Sequence, residues 1–491
     1  MGSRALALGG LVALAACALV VTCQPHALMP EATRLSVRID PSDRRPLSRY
    51  VYGVNGLEQP RAHPGLFTLL RFGGDRTSSY DWEINASNAG ADFHDSNDAY
   101  LGESTEPAGA MLDLIRVAAE QHAAALVTIP MMGFVAGDRA GDVHADDRER
   151  RVLAVRASCP GETWVTTDDH ICTDQLALYL ASHAPQGVPL FFALDNEPEL
   201  WPTTHPLLFG DAPLTYETLL SRSRAHAEAI RSVIPDARIF GPASFGFPAF
   251  GDLLGAPDAD GRPFLEAYLA SVPGVTLDVH WYPDVRVGGA SVSSGASDTA
   301  TARVRVQLPR SLYDPSYEEP SWIVNDSLHE PIDLPHRLPR VPLAITEYDY
   351  GGGEDVSGAL AEADALGAFG RYGVVAATFW PLTDHAHTYD VLAFELYRRF
   401  FSTSIGSDSS DLERLGCWAS IEDETNRLAL VLVHRAEELE EVRLLGVRGA
   451  FERFVIDAHA PEVRAETAFS CEETCDLTLG ARSVTLLVQQ P

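Results

Sequence analysis

Two glutamates stand where chemistry is expected. Glu197 closes the segment Ala193-Leu194-Asp195-Asn196-Glu197-Pro198, and Glu347 closes Ala344-Ile345-Thr346-Glu347-Tyr348. In each, an aliphatic run of strand type delivers a carboxyl group at its end. One such acid is ordinarily a helix cap or a solvent-facing charge. Two of them facing one mouth can hydrolyse a glycoside, because one carboxylic acid protonates the leaving oxygen while the other carboxylate acts at the anomeric carbon.

The elements that must position them follow a repeating rhythm. Strand-like runs occur at Tyr50–Asn55, Leu69–Gly73, Ala124–Ile129, Leu190–Asp195, Arg238–Gly241, Leu277–Tyr282, Leu343–Glu347 and Ala376–Trp380. Several are apolar throughout, as strands buried on both faces are. Helical patterns lie between them at Pro107–His122, Thr173–His183, Tyr216–Ile234 and Val356–Tyr372. The third of these starts after Thr215 and stops at Pro235. Eight strands alternating with helices predict an α/β fold, a (β/α)8 TIM-like barrel, whose active site forms at the C-terminal strand ends. Glu197 then ends strand four and Glu347 strand seven. A doubly wound open sheet is the alternative architecture, but no G-x-G-x-x-G follows the first strand.

Past Phe401 the rhythm changes to β-type runs at Leu428–His434, Val442–Val447, Phe451–Ile456 and Ser483–Val488, which predict a small C-terminal β-sandwich. Thr33–Ile39 alternates apolar and polar residues and is expected to add an N-terminal strand to it. The expected organisation is a leader over 1–23, the joining segment over 24–48, the barrel over 49–395 and the sandwich over 396–491. The region Asp284–Arg340, with its low-complexity stretch Gly288–Thr301, reads as a long functional or mobile loop.

Composition narrows the partners. The 491 residues hold 37 basic and 69 acidic side chains, a net charge of −32, and no lysine. That balance repels phosphates, so nucleic acid and anionic lipid surfaces are poor partners. Arg4 followed by the apolar run Ala5–Val21 has the form of an export signal, and Leu14-Ala15-Ala16-Cys17 looks like a lipobox whose cysteine would carry a lipid anchor; Cys23 is a weaker second candidate. The expectation is an extracellular or cell-surface monomer, attached to a membrane only through a lipid on Cys17. Of the seven cysteines, Cys159 and Cys172 are expected to form a disulfide, and Cys417 to pair with Cys471 or Cys475.

Longer stretches carry a resemblance. Leu70–Phe93 (LRFGGDRTSSYDWEINASNAGADF), Leu194–His205 (LDNEPELWPTTH), Leu277–Pro283 (LDVHWYP), Leu312–Ile323 (LYDPSYEEPSWI) and Ile345–Gly352 (ITEYDYGG) resemble glycoside hydrolase family 44, the endoglucanases and xyloglucanases among the retaining (β/α)8 glycosidases. The family's RWGGN reads Arg71-Phe72-Gly73-Gly74-Asp75 here, a departure that bears on substrate preference. The resemblance implies a barrel paired with a β-sandwich, Glu197 as acid/base and Glu347 as nucleophile, with the carboxyl groups about 5–5.5 Å apart.

On that reading Asn196 hydrogen-bonds the sugar 2-hydroxyl. Tyr282, two residues beyond His280, either holds the nucleophile or is a core aromatic. Arg71 either fixes a carboxylate in the mouth or stabilises the barrel. His280 is counted with the substrate-binding residues. Trp380, Trp201, Trp281 and Trp82 are the candidates for sugar stacking, with Trp380 first because it ends strand eight; the other three are equally well core or loop rings. The acidic run Asp92–Asp98 either is a solvated loop or binds a structural calcium; no cofactor is required. His385 and His387 near strand eight are expected to hydrogen-bond to sugar or loop, a metal role there being the weaker alternative. The expected activity is retaining endo-β-1,4-glycanase action on cellulose or xyloglucan by double displacement. The alternatives are the same machinery on xylan or mannan, and a surface carbohydrate-binding protein on a decayed barrel.

Overall fold

The computed structural model describes residues 34–161, 169–324, 329–381 and 386–491. The leader with Cys17 and Cys23, and His385, lie outside the described residues. Among the described residues, no helix is long and apolar enough to cross a membrane.

Strand β1 (Leu35–Pro46) precedes eight parallel strands: β2 (Gly53–Asn55), β3 (Leu69–Phe72), β4 (Ala124–Ile129), β5 (Leu190–Leu194), β6 (Arg238–Ser244), β7 (Thr276–Trp281), β8 (Leu343–Tyr348) and β9 (Val374–Phe379). These eight close into a barrel, β9 pairing back to β2, so the open-sheet alternative is excluded. Alternation along each strand explains the continuous apolar runs. Phe191 and Ala193 of β5 point into the barrel with Leu69, Leu126, Phe240, Ala344 and Ala376. Phe192 and Leu194 point outward into the layer shared with the helices. Tyr50, below β2, packs edge-on against Phe191 and fills the barrel floor.

The helices include Gly109–Glu120, Thr173–His183, Tyr216–Val233, Phe264–Ser271, Val356–Tyr372 and Thr388–Tyr397. Thr215 caps the third, accepting from Thr218 N through its side chain. Phe264–Ser271 and Thr388–Tyr397 escape sequence reading, because the second is buried on nearly every side and shows no amphipathic period. Asp284–Arg340 is not one loop: it contains a short hairpin, the helix Thr299–Arg305 and several single turns.

The C-terminal region is antiparallel: β10 (Thr403–Ser409), β11 (Leu415–Ile421), β12 (Leu428–His434), β13 (Glu440–Asp457), β14 (Ala460–Leu479) and β15 (Ser483–Gln489). The sheet runs β1-β10-β11-β12-β15-β13-β14, and β1 also pairs in parallel with β13. The N-terminal strand thereby ties the two layers around a core that includes Val37, Leu415, Leu430, Leu444 and Leu487. The runs Val442–Val447 and Phe451–Ile456 prove to be one strand, kinked at a register shift beside Gly446. Cys159 and Cys172 form a disulfide. Cys471 pairs with Cys475 rather than with Cys417, which is a buried free thiol on β11. All three cysteines touch the sandwich core, but Cys471 and Cys475 stand four residues apart on the one strand β14, with Cα atoms 5.5 Å apart.

Barrel and sandwich meet through the helix Val356–Tyr372. Its Asp364 accepts from Trp418 Nε1 at 3.0 Å, from the Tyr313 hydroxyl at 2.9 Å and from the Arg435 guanidinium, all buried. Arg435 also donates to the carbonyls of Val306 and Leu412, at 2.8 Å each. Removing one partner leaves an uncompensated buried charge. Arg435→Leu is therefore expected to cost about 3–5 kcal/mol. The denaturation midpoint falls, and the double variant Asp364→Leu/Arg435→Leu recovers part of the loss; an unmoved midpoint in the single variant contradicts this.

Candidate active site

The barrel's C-terminal rim is organised around one buried guanidinium. Arg71 of β3 donates from Nη1 to Glu347 Oε1 at 2.6 Å and to Asn55 Oδ1 at 2.9 Å, and from Nη2 to Asn196 Oδ1 at 2.7 Å. The planar fork reaches these acceptors from two nitrogens held in a fixed geometry. Asn55 is fixed in turn, its Nδ2 donating to the carbonyls of Thr346 and Thr378. Gly73 makes room for this, since a Cβ there would lie 2.2 Å from Arg71 Nη1.

Glu347 sits on β8, and the register of β7 places His280 beside it. Its second oxygen accepts from the Tyr282 hydroxyl at 2.9 Å. Both oxygens are thus held by donors, which fixes the carboxylate's orientation. Burial first, and then the charge of Glu347, push the Tyr282 hydroxyl well above the usual phenol range, so it stays a donor.

Glu197 lies three residues past β5, at φ 43° and ψ 54°. Asp195, two residues earlier, is also left-handed, at φ 67°. Such backbone is costly for residues with a side chain, and persists where surrounding bonds impose it. Here the Asp195 carboxylate accepts from Ser78 Oγ, Met131 N, Asn196 N and Trp201 Nε1, while Glu197 N donates to the Ala243 carbonyl.

Glu197 Oε1 lies 2.7 Å from His280 Nδ1. His280 is fully buried, and burial, aided by Arg71, lowers its imidazole to about 3, so it is neutral. Its Nε2 faces Arg71 Nη2, which can only donate, at 3.5 Å. The ring proton therefore belongs on Nδ1, and His280 donates to Glu197. Burial raises the Glu197 carboxyl well above the usual range, and the neighbouring Glu347 charge adds to this while Arg71 opposes it. The arrangement pairs a proton-bearing acid with a restrained carboxylate.

An oxygen of Glu197, an oxygen of Glu347 and a nitrogen of His280 all lie within 4.8 Å of one another. That trio has metal-type donors, and its members are already bonded within the protein, His280 Nδ1 to Glu197 and the two Glu347 oxygens to Arg71 and Tyr282. A second trio, Cys159, His170 and Cys172, has both thiols in the disulfide and offers no thiolate ligand. The carboxylates of the Asp92–Asp98 run do not converge in this way, and Asp98 pairs with Arg76 at 2.6 Å. His387 is buried against Asp390 at 3.0 Å.

A cleft of about 830 Å3 opens above these groups, lined by Gly74, Asp75, Arg76, Asn196, Tyr282 and Trp380, by both glutamates and by Asp92, Phe93, Asp98, Tyr100 and Leu101 of one insert. Trp380 lies across Gly74, whose φ of 98° and contact distance both exclude a side chain. Asp75 accepts from Asn196 Nδ2 at 3.2 Å. Burial first, and then Glu197, Glu347 and Asp92, lift Asp75 to about 8, so it is neutral at pH 7.

Of the residues assigned to substrate contact from sequence, Asn196, Tyr282 and Trp380 border the cleft. Three others are buried. Arg71 and His280 are wholly buried, Arg71 against Glu347, Asn196 and Asn55, and His280 against Glu197. Trp201 is 1% exposed, turned under the site by its bond to Asp195 and packed beside Phe209. Trp82 and Trp281 are also core residues. Sequence reasoning passed over Trp322, which is 41% exposed, stacks on Phe245 and donates from Nε1 to the Tyr282 carbonyl at 2.8 Å. The stretch Leu312–Ile323 contains it, but nothing in its spacing marks it as a rim residue.

Comparison with known proteins agrees with this geometry. The sequence model of glycoside hydrolase family 44 matches residues 78–285. Endoglucanase A of Paenibacillus lautus is 33% identical over 446 residues, 80% of this chain; the chain spans 62% of that relative's length. A family 44 xyloglucanase of Paenibacillus polymyxa superposes with a TM-score of 0.85 at 28% identity, over 93% of this chain and 99% of the other. A family 44 endoglucanase of Clostridium thermocellum superposes with a TM-score of 0.84 at 31% identity, over 93% of this chain and all of the other. With a family 44 enzyme matched along its whole length at 31% identity, this chain belongs to glycoside hydrolase family 44.

Proposed function

We propose that this protein is an exported endo-β-1,4-glycanase that cleaves glucan-type polysaccharide, xyloglucan or cellulose, with retention at the anomeric carbon. The carrying observation is the gap between Glu197 and Glu347. At no more than 4.8 Å between an oxygen of each, it suits the retaining spacing of about 5–5.5 Å and leaves no room for the water that inverting enzymes place across about 6.5–9.5 Å.

In the first step a Glu347 oxygen attacks the anomeric carbon as the glycosidic C–O bond breaks, and Glu197 gives its proton to the departing oxygen. In the second, Glu197, now a carboxylate, takes a proton from water. The water oxygen displaces Glu347, which leaves as the carboxylate. Tyr282 and Arg71 hold Glu347 for attack, His280 steadies Glu197, and Asn196 presents its amide nitrogen to the 2-hydroxyl. Trp380 offers a ring face to a pyranose. Export rests on the basic-then-apolar start of the chain and on the two disulfides; a monomer, with or without a lipid on Cys17, completes the reading.

The test is release of reducing ends from xyloglucan, carboxymethyl cellulose, xylan and mannan. Activity on the glucans supports the reading, and a preference for xylan or mannan redirects the substrate class. If wild type and Glu347→Gln both bind glucan and neither hydrolyses any, the protein is a binding module.

Charge adds a further expectation. Asp92, Asp98 and Glu347 line the cleft of a chain whose net charge is −32. The KM for anionic carboxymethyl cellulose is expected to fall several-fold between about 0.01 M and about 0.15 M salt, as screening weakens the repulsion. The KM for neutral xyloglucan stays level. Equal salt responses on both substrates count against an electrostatic origin.

A further inference from the structure

Tyr100 is among the most exposed large side chains of the described residues, at 74%, yet it lines the same cleft as the two glutamates. Its ring is not adrift. The Arg76 guanidinium lies 4.3 Å from the ring centroid and is itself only 17% exposed, so the ring rests on the guanidinium and turns its other face outward. Arg76 is anchored below by Asp98 Oδ1 at 2.6 Å. The same oxygen accepts from Tyr100 N at 2.9 Å. One carboxylate thus fixes both the brace and the backbone of the residue it braces. Arg76 directly follows Asp75, the partner of Asn196, so this unit is continuous with the catalytic rim.

We propose that Tyr100 is a specificity-determining residue whose outward face stacks on a pyranose ring of the bound glucan beyond the two sugars that a short aryl cellobioside supplies. The assignment rests on the glycanase reading above and extends it. A flat aromatic face set in advance loses little freedom on binding, and a large ring held open to water gains by being covered. An occupant from the same polysaccharide is favoured because the platform shares one cleft with the reacting bond. Tyr100 and Trp380 thus offer two separate aromatic residues to one cleft.

The experiment compares wild type, Tyr100→Ala and Tyr100→Phe on xyloglucan and on a short aryl β-cellobioside. Tyr100→Ala is expected to raise the KM for xyloglucan roughly fivefold to tenfold with kcat little changed, the sign of lost ground-state binding. Its KM on the short substrate stays near wild type. Tyr100→Phe, which keeps the face and loses only the hydroxyl, restores the polymer KM. Arg76→Met, which removes the brace, reproduces part of the Tyr100→Ala defect. The proposal is overturned if Tyr100→Ala leaves the polymer KM unmoved, if both substrates suffer alike, or if Tyr100→Phe is as impaired as Tyr100→Ala. If wild type itself fails on every glucan, the glycanase reading fails first, which the same assay shows.

Discussion

Glu347→Ala is expected to lower kcat/KM on xyloglucan by about 10⁵-fold, the scale of loss when the attacking group of a covalent mechanism is removed. The size follows from the geometry. Arg71 and Tyr282 hold one Glu347 oxygen each, which leaves the carboxylate no alternative orientation. Truncation also leaves a small cavity beside a guanidinium, which suits a small anion. With an activated aryl β-glycoside, azide is expected to enter that space, attack the anomeric carbon from the nucleophile's side and give the inverted glycosyl azide. Recovery of a retained azide from this variant would reverse the assignment of the two glutamates.

Glu197→Ala is expected to behave differently. On substrates with poor leaving groups the loss is about 10³–10⁴-fold, because the departing oxygen then leaves without a proton. Where the leaving group is a good one the first step survives, glycosyl-enzyme accumulates, and azide speeds turnover to give the retained product. The pH profile adds a second readout. Burial and Glu347 hold the wild-type Glu197 proton above the usual carboxyl range, so activity should persist through neutrality and fall on the alkaline side as that proton is lost. In Glu197→Ala with an activated substrate that alkaline fall disappears. An unchanged alkaline limb would mean that another group supplies the proton.

The site's framework was legible because barrel strands are buried on both faces and end at one rim. Ala124–Ile129 stands out as six apolar or β-branched residues, and the carboxyls of Glu197 and Glu347 terminate runs of the same kind. What sequence could not give was depth. Trp201, four residues beyond Glu197, is a stacking candidate or a core ring on sequence alone, and the left-handed turn at Glu197 and the bond to Asp195 carry it beneath the rim. Arg71 holds a carboxylate of the mouth, one of the two roles open to it from sequence, whereas His280, counted with the substrate-binding residues, is wholly buried, because burial is a tertiary property. Tyr100 lies in an insert without periodicity, so its role depends on Arg76 arriving from another segment. Strand β14 was missed for a related reason: as an outer strand with many exposed charged residues, it lacks the apolar alternation that marked its neighbours.

The central claim is that two carboxyls across a short gap act in succession on opposite faces of one carbon. Proton NMR of the first product released from a glucan oligosaccharide reads this directly, before mutarotation blurs it. The account predicts that the β-anomer appears first and the α-anomer grows in later at the rate of spontaneous equilibration. An initial α-anomer would contradict it.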